Sequence, residues 1–290
     1  MLVADDILYL ELPKTACSHI RNLLKHFVGG KFVGKHNRPS EQMLEQMLEQ
    51  KMLVGSVRNP WDWYVSMWAY GCDSKGVLFK RLTSRQIRGQ GLISGAKSIP
   101  PLVFLRFLSQ IFFKSPDNWK RLYADSRNPY LFREWLSLVL DIDSNHKYSF
   151  GDGYAFSPVS SIAGLYTYYY VRLFARDTAR LINGKISAMD GLCEIDQSYN
   201  VLNEVIRVES LEDDVVRILC KLGHVDSLSL RNEIRTYKPP LFRDIGSKSN
   251  SSSRVRDIRY YYDQQTAHLV AHREKLIIEK HNYQSILANF

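Results

Sequence analysis

ILYLELPKTACSHIRNLLKHF, residues 7–27, decides the fold. Ile7 to Leu12 is a short apolar run suited to a buried strand, and Pro13 ends it. From Ser18 onward Ile20, Leu23, Leu24 and Phe27 recur at helical spacing on one face. Between them lies Pro13-Lys14-Thr15-Ala16-Cys17, small residues around one lysine. A strand entering a helix through such a loop aims backbone N–H groups and the positive end of the helix dipole at one point. That point suits an oxyanion such as phosphate or sulfate. Lys14 adds a positive charge, and Thr15 and Ser18 add hydroxyl donors. The competing reading is an ordinary strand–turn–helix with a surface lysine. No G-x-x-x-x-G-K-[ST] occurs, which speaks against a standard nucleotide triphosphatase.

A second unit of the same kind follows. Met52 to Val57 reads as a buried strand ending at Arg58-Asn59-Pro60, where Pro60 suits the first position of a helix over Trp61 to Tyr70. Two strand–loop–helix units within seventy residues predict a parallel sheet with helical crossovers. Short elements lie between them, a strand within Lys31 to Lys35 and a helix over Met43 to Gln50. From Gly71 to Asn200 strand signals fade, and helical patterns over Leu102 to Phe113, Tyr130 to Leu140 and Leu165 to Leu181 dominate. Tyr166, Tyr168, Tyr169 and Tyr170 read as core packing, with an acceptor pocket as the alternative. Glu204 to Val208 returns to strand character. Ser210-Leu211-Glu212-Asp213 then caps a helix ending near Gly223, and Gln264 to Lys280 is helical.

The chain has 290 residues, 45% of them hydrophobic, enough for a large core. No apolar run reaches the length of a membrane span, and no basic region precedes a long apolar segment at the start. The expected location is therefore cytoplasmic. Cys17, Cys72, Cys193 and Cys220 are scattered, as expected of reduced thiols. The net charge of +9 suggests a polyanionic partner.

Four segments resemble, in order, the sulfotransferases that use 3′-phosphoadenosine 5′-phosphosulfate (PAPS), most closely the bacterial branch related to the membrane carbohydrate enzymes. Leu12-Pro13-Lys14-Thr15-Ala16-Cys17-Ser18 is similar to the family's 5′-phosphosulfate loop. Val57-Arg58-Asn59-Pro60-Trp61-Asp62 with Ser66 is similar to its 3′-phosphate element. Arg207 to Asp214 resembles its late strand–helix. Lys248-Ser249 followed by Tyr262-Asp263 and the helix to Tyr283 resembles its C-terminal cofactor loop and helix. The resemblance implies one α/β domain over residues 1–290, a P-loop-type three-layer fold with a central parallel sheet. Residues 71–200 would be a helical insertion capping the acceptor site.

It further implies sulfuryl transfer from PAPS to an acceptor hydroxyl or amine, leaving adenosine 3′,5′-bisphosphate (PAP). Lys14 would neutralise the leaving group and His36 would be the general base, with Glu41 as second candidate. Pro13, Lys14, Thr15, Ala16, Cys17, Ser18, Arg58, Ser66, Lys248, Ser249 and Arg254 would hold the nucleotide, without a metal. The acceptor class stays open among carbohydrate, lipid, peptide tyrosine and small metabolite. Ala16-Cys17 stands where many members carry two glycines. Its small residues are expected to fit at negative φ, with the Cys17 thiol pKa lowered by the helix terminus and Lys14.

Other signals carry less. His268 and His272 have metal-ligand spacing but lack the H-E-x-x-H glutamate. Asp141, Asp143 and Asn145 begin like a calcium loop, yet His146 takes its glycine position. The basic stretch Lys248 to Arg259 could suit nucleic acid, but a cofactor loop explains it with fewer assumptions. Two alternatives to the enzyme stand beside it: a non-catalytic nucleotide- or polyanion-binding relative, and a nucleotide-dependent kinase.

Overall fold

The computed structural model describes residues 1–84, 115–141, 153–154, 157–176, 178, 186, 188–238 and 253–289. The chain divides into two units, each assembled from separate segments. One comprises Met1–Asn59, Tyr169–Thr178 and Cys193–Ser249; the other comprises Pro60–Tyr168, Ala179–Leu192 and Asn250–Phe290. The expected 71–200 insertion is thus shared between them. The helix expected at Leu102 to Phe113 lies outside the described residues, as do Lys248, Ser249 and most of the calcium-like loop.

The first unit holds a five-stranded sheet of β1 (Leu2–Val3), β2 (Ile7–Leu10), β3 (Lys31–Phe32), β4 (Met52–Val57) and β5 (Glu204–Arg207), in the order β3-β1-β2-β4-β5. The β2, β4 and β5 strands run parallel, with Tyr9 beside Val54 and Val54 beside Glu204. The sheet is mixed rather than wholly parallel, because β1 pairs antiparallel with both β2 and β3. A tight turn closed by Ala4 N–H donating to Ile7 O at 3.0 Å folds β1 back on β2. Two residues are too few for a periodic signal, so β1 is invisible in the sequence.

Helix α1 (Cys17–Val28) crosses from β2, and α2 (Glu41–Leu48) precedes β4. One face of the sheet, through Ile7, Tyr9, Val54 and Ile206, packs on Ile20, Leu23 and Leu24 of α1. Val215, Ile218 and Leu219 of the helix Leu211–Lys221 and Leu230 and Ile234 of the helix Leu228–Thr236 join the same core. Each such side chain, fully buried, contributes about 1.5–3 kcal/mol. This burial holds α1 in place although no side chain caps its N-terminus and its first turn has no acidic residue. On β4, Gly55 lets Phe174 and Leu202 approach the backbone: a Cβ there would lie 2.8 and 2.7 Å from them. The helix Leu228–Thr236, which the sequence reading did not anticipate, starts at Ser227, whose hydroxyl accepts from Leu230 N–H at 3.1 Å.

The second unit is built on aromatic side chains. Helix α3 (Pro60–Cys72) begins at Pro60 as expected and buries Trp61, Trp63, Tyr64 and Trp68 completely. Indole N–H groups are satisfied: Trp61 donates to Ala267 O at 3.1 Å, Trp68 to Leu122 O at 2.8 Å, and Trp135 to the Tyr123 hydroxyl at 2.7 Å. Tyr166 stacks on Trp63 with ring centres 4.6 Å apart, and Tyr168 lies 5.5 Å from Tyr154. Tyr166 and Tyr168 of the expected tyrosine cluster are therefore packing residues here, both fully buried; Tyr170, which belongs to the first unit, is fully buried as well. The expected C-terminal helix is interrupted at Glu274, which separates Gln264–Arg273 from Lys275–Lys280. The Glu274 carboxylate is fully buried and accepts from Tyr64 OH, from Thr167 N–H at 2.8 Å and from Thr167 OH at 2.6 Å. Among the described residues, no helix is long and apolar enough to cross a membrane.

Candidate anion-binding site

The loop between β2 and α1 departs from the expected backbone. Lys14 has φ 66° and Ala16 has φ 56°, ψ 18°, both in the left-handed region. Negative dihedrals were expected for small residues replacing glycines; instead Ala16 adopts the glycine-like conformation itself, at a cost of about 1–2 kcal/mol. Strain of this kind persists where the surroundings over-determine it. Thr15, between Lys14 and Ala16, is not among the residues of positive φ, and alternation of this kind is a backbone form found in anion-binding nests. Among the described residues, no hydrogen bond engages the N–H groups of Thr15 or Ala16.

The loop is held from behind by hydroxyls. Thr15 is fully buried; its Oγ1 donates to Leu12 O at 2.7 Å and bonds Ser56 Oγ at 2.7 Å, and Ser56 bonds the Tyr9 hydroxyl at 2.7 Å. The expected presentation of the Thr15 hydroxyl to a ligand is therefore corrected, since it anchors the loop to β2 and β4. Its backbone amide is what it offers. Ser18 stands half-buried in the first turn of α1, and its carbonyl accepts from Asn22 at 2.7 Å.

Two other expected residues meet this loop. Arg58, at the end of β4, donates to Lys14 O at 3.2 Å, which brings a guanidinium beside the loop. The next amide, Asn59 N–H, donates to Glu209 Oε1 at 2.6 Å and so ties the end of β4 to the segment after β5. His36, at φ 56°, places Nδ1 3.0 Å from Glu11 O, two residues ahead of Pro13. A carbonyl oxygen only accepts, so in the neutral ring Nδ1 carries the proton and Nε2 the lone pair. The residue as a whole is exposed, but the protein atoms packed around its ring desolvate it and lower its pKa below the ordinary value, outweighing its contacts with Glu11. Glu41 is engaged differently: Arg38 holds it with two hydrogen bonds of 2.6 and 3.0 Å while also donating to Ala175 O.

Cys17 reverses its expectation. Burial, and next to it the Glu11 carboxylate, push the thiol pKa up, because a desolvated side chain resists ionising more than the helix terminus assists it. Glu11 itself escaped the sequence reading. It is fully buried, with Oε1 3.2 Å from Arg21 and 3.4 Å from the Met1 amine. The available signal was a lone carboxylate inside an otherwise apolar run, ILYLELP. Ser56 and Tyr9 left no signal that separates them from core residues.

The remaining expected residues lie in the second unit or outside the described residues. Ser66 is buried on α3, and Arg254 pairs with Asp62 at 2.6 Å. The late strand–helix motif caps itself in an unexpected way. Ser210 makes no side-chain cap but donates to Asp214 Oδ2 at 2.8 Å, and that oxygen also accepts from Arg207 N–H at 2.9 Å. His268 and His272 are both exposed. Compared with family models, with curated proteins and with solved structures, the chain shows no match.

Proposed function

We propose that this chain is a PAPS-dependent sulfotransferase with a P-loop-type three-layer arrangement around its sheet. The observation that carries the reading is that His36 and Arg58 both reach the backbone of the stretch Glu11 to Ala16, which carries Lys14. The donor has two anionic ends, a sulfated 5′-phosphate and a separate 3′-phosphate, and needs two cradles. The strained Lys14–Ala16 loop with its amides suits the first; Arg58, a planar fork of donors, suits the second. In the transfer, the acceptor oxygen or nitrogen attacks sulfur as the bond from sulfur to the bridging phosphate oxygen breaks. Charge grows on that oxygen, where Lys14 neutralises it. The acceptor's proton passes to His36 Nε2, whose lone pair is held outward by the Nδ1–H bond to Glu11 O. A neutral imidazole at neutral pH follows from its lowered pKa. The acceptor is a carbohydrate, lipid, peptide tyrosine or small metabolite.

Calorimetric titration with PAP, 5′-AMP and ATP on the wild type and Arg58→Ala tests this. Tight binding of the bisphosphate alone, lost in Arg58→Ala, is expected. Equal or absent binding of all three overturns the reading in favour of a polyanion-binding protein.

A further inference from the structure

Glu11, Cys17 and His36 form a second cluster behind the anion loop. A carboxylate oxygen of Glu11, the Cys17 Sγ and a ring nitrogen of His36 all lie within 4.8 Å of one another. Glu11 is fully buried, and among the described residues its Oε2 has no hydrogen-bond partner. Leaving a charged oxygen buried and unpaired is costly, and a cation is the group that would satisfy it. Cys17 is a free thiol, 6% exposed. His36 lies on the exposed side and gives a route of entry.

We infer that Glu11, Cys17 and His36 bind a soft divalent cation, with Zn²⁺ the best match. One carboxylate, one thiolate and one imidazole are ligands that suit zinc and not magnesium or calcium. Tetrahedral bonds of about 2.0–2.3 Å place ligand atoms about 3.3–3.8 Å apart, so from separations within 4.8 Å closure requires each pair to approach by at most about 1.5 Å. Glu11 follows β2 and Cys17 opens α1, so the side chains of these two adjust while His36, on its exposed loop, moves furthest. Three protein ligands leave the fourth position for water. Binding removes the thiol proton to solvent, so the Zn²⁺, thiolate and carboxylate charges cancel. Arg21 and the Met1 amine face Glu11 Oε1 and moderate the affinity. The Nδ1 contact with Glu11 O orients the ring as a backbone carbonyl commonly does for a metal-bound histidine.

The site does not depend on the sulfuryl-transfer reading; only its consequence rests on that reading. Ligation would occupy the imidazole that serves as base and switch transfer off while the nucleotide cradle stays intact.

The test is a Co²⁺ titration of the chelator-stripped full chain without nucleotide, followed by absorption spectroscopy and displacement with Zn²⁺. A thiolate-to-cobalt charge-transfer band is expected in the wild type and in a His268→Ala/His272→Ala control, and not in Cys17→Ser. His36→Ala, at an exposed position, should weaken Co²⁺ by about tenfold or more while the chain stays folded. No band in the wild type overturns the inference. So does a band that persists in Cys17→Ser, an unchanged affinity in His36→Ala, or binding lost in the control. The bisphosphate titration reads Arg58 and the loop amides, so failure of either proposal is seen separately.

Discussion

Replacing Thr15 with valine tests whether the anion loop is anchored from its interior side. Valine keeps the branched shape, so no cavity opens, and only the hydroxyl is lost. That hydroxyl makes two 2.7 Å bonds, one to Leu12 O and one to Ser56 Oγ, in a fully buried position. Each is worth about 0.5–1.5 kcal/mol net, and water has no access to the groups left behind. The expected destabilisation is therefore about 1–3 kcal/mol. Urea unfolding should register it as a lower midpoint at unchanged slope. Thr15→Ser should recover most of the difference. A cycle with Ser56→Ala should show coupling of about 0.5 kcal/mol or more, since the two share one bond. An unchanged midpoint in Thr15→Val together with lost bisphosphate binding would refute the reasoning, because the hydroxyl would then face the ligand.

The titration of His36, followed by the NMR shift of its ring protons, should show a midpoint below 6.5, since burial disfavours the imidazolium; a midpoint above 6.5 contradicts the desolvated placement. Gly164→Ala should destabilise by about 1–3 kcal/mol, because the added Cβ would lie 1.9 Å from Glu274 Oε1 and 2.8 Å from Tyr64 OH; an unaltered thermal midpoint speaks against that packing. Burial raises the Glu274 pKa above 4.5, so the native state favours its protonated form. That contribution is full below the ordinary carboxylate value and fades as pH rises through the elevated one. Glu274→Gln should therefore flatten the pH dependence of unfolding on that flank, and an identical profile for the two proteins would dismiss the assignment.

Much of the scaffold was legible because it rests on periodicity. Met52–Val57 and the α1 face of Ile20, Leu23 and Leu24 follow from runs of apolar residues long enough to set a period. What periodicity cannot reach went unread. The β1 hairpin is two residues long, and the break at Glu274 answers to a buried carboxylate contacted from residues 64 and 167. Within the candidate site, the sequence assigned Lys14 and Arg58 to two separate anion cradles, without showing that the Arg58 guanidinium donates to Lys14 O. It could not tell that Thr15 faces inward, because a threonine hydroxyl reads the same from either side of a loop. Nor could it give the sign of the Cys17 shift, which burial decides against the helix dipole.

The pairing of β4 with β5 also constrains how the protein is made. Asn59 and Glu209, joined just past the ends of these strands, are 150 positions apart. At a synthesis rate of about 5–20 residues per second, β4 waits roughly 8–30 s on the ribosome before its parallel neighbour emerges. During that interval Met52–Val57, a strand without a charged side chain, presents an open row of amides and carbonyls. Nascent chains stalled before residue 200 should therefore recruit holdase chaperones at this segment, and chains stalled well beyond residue 221 should release them.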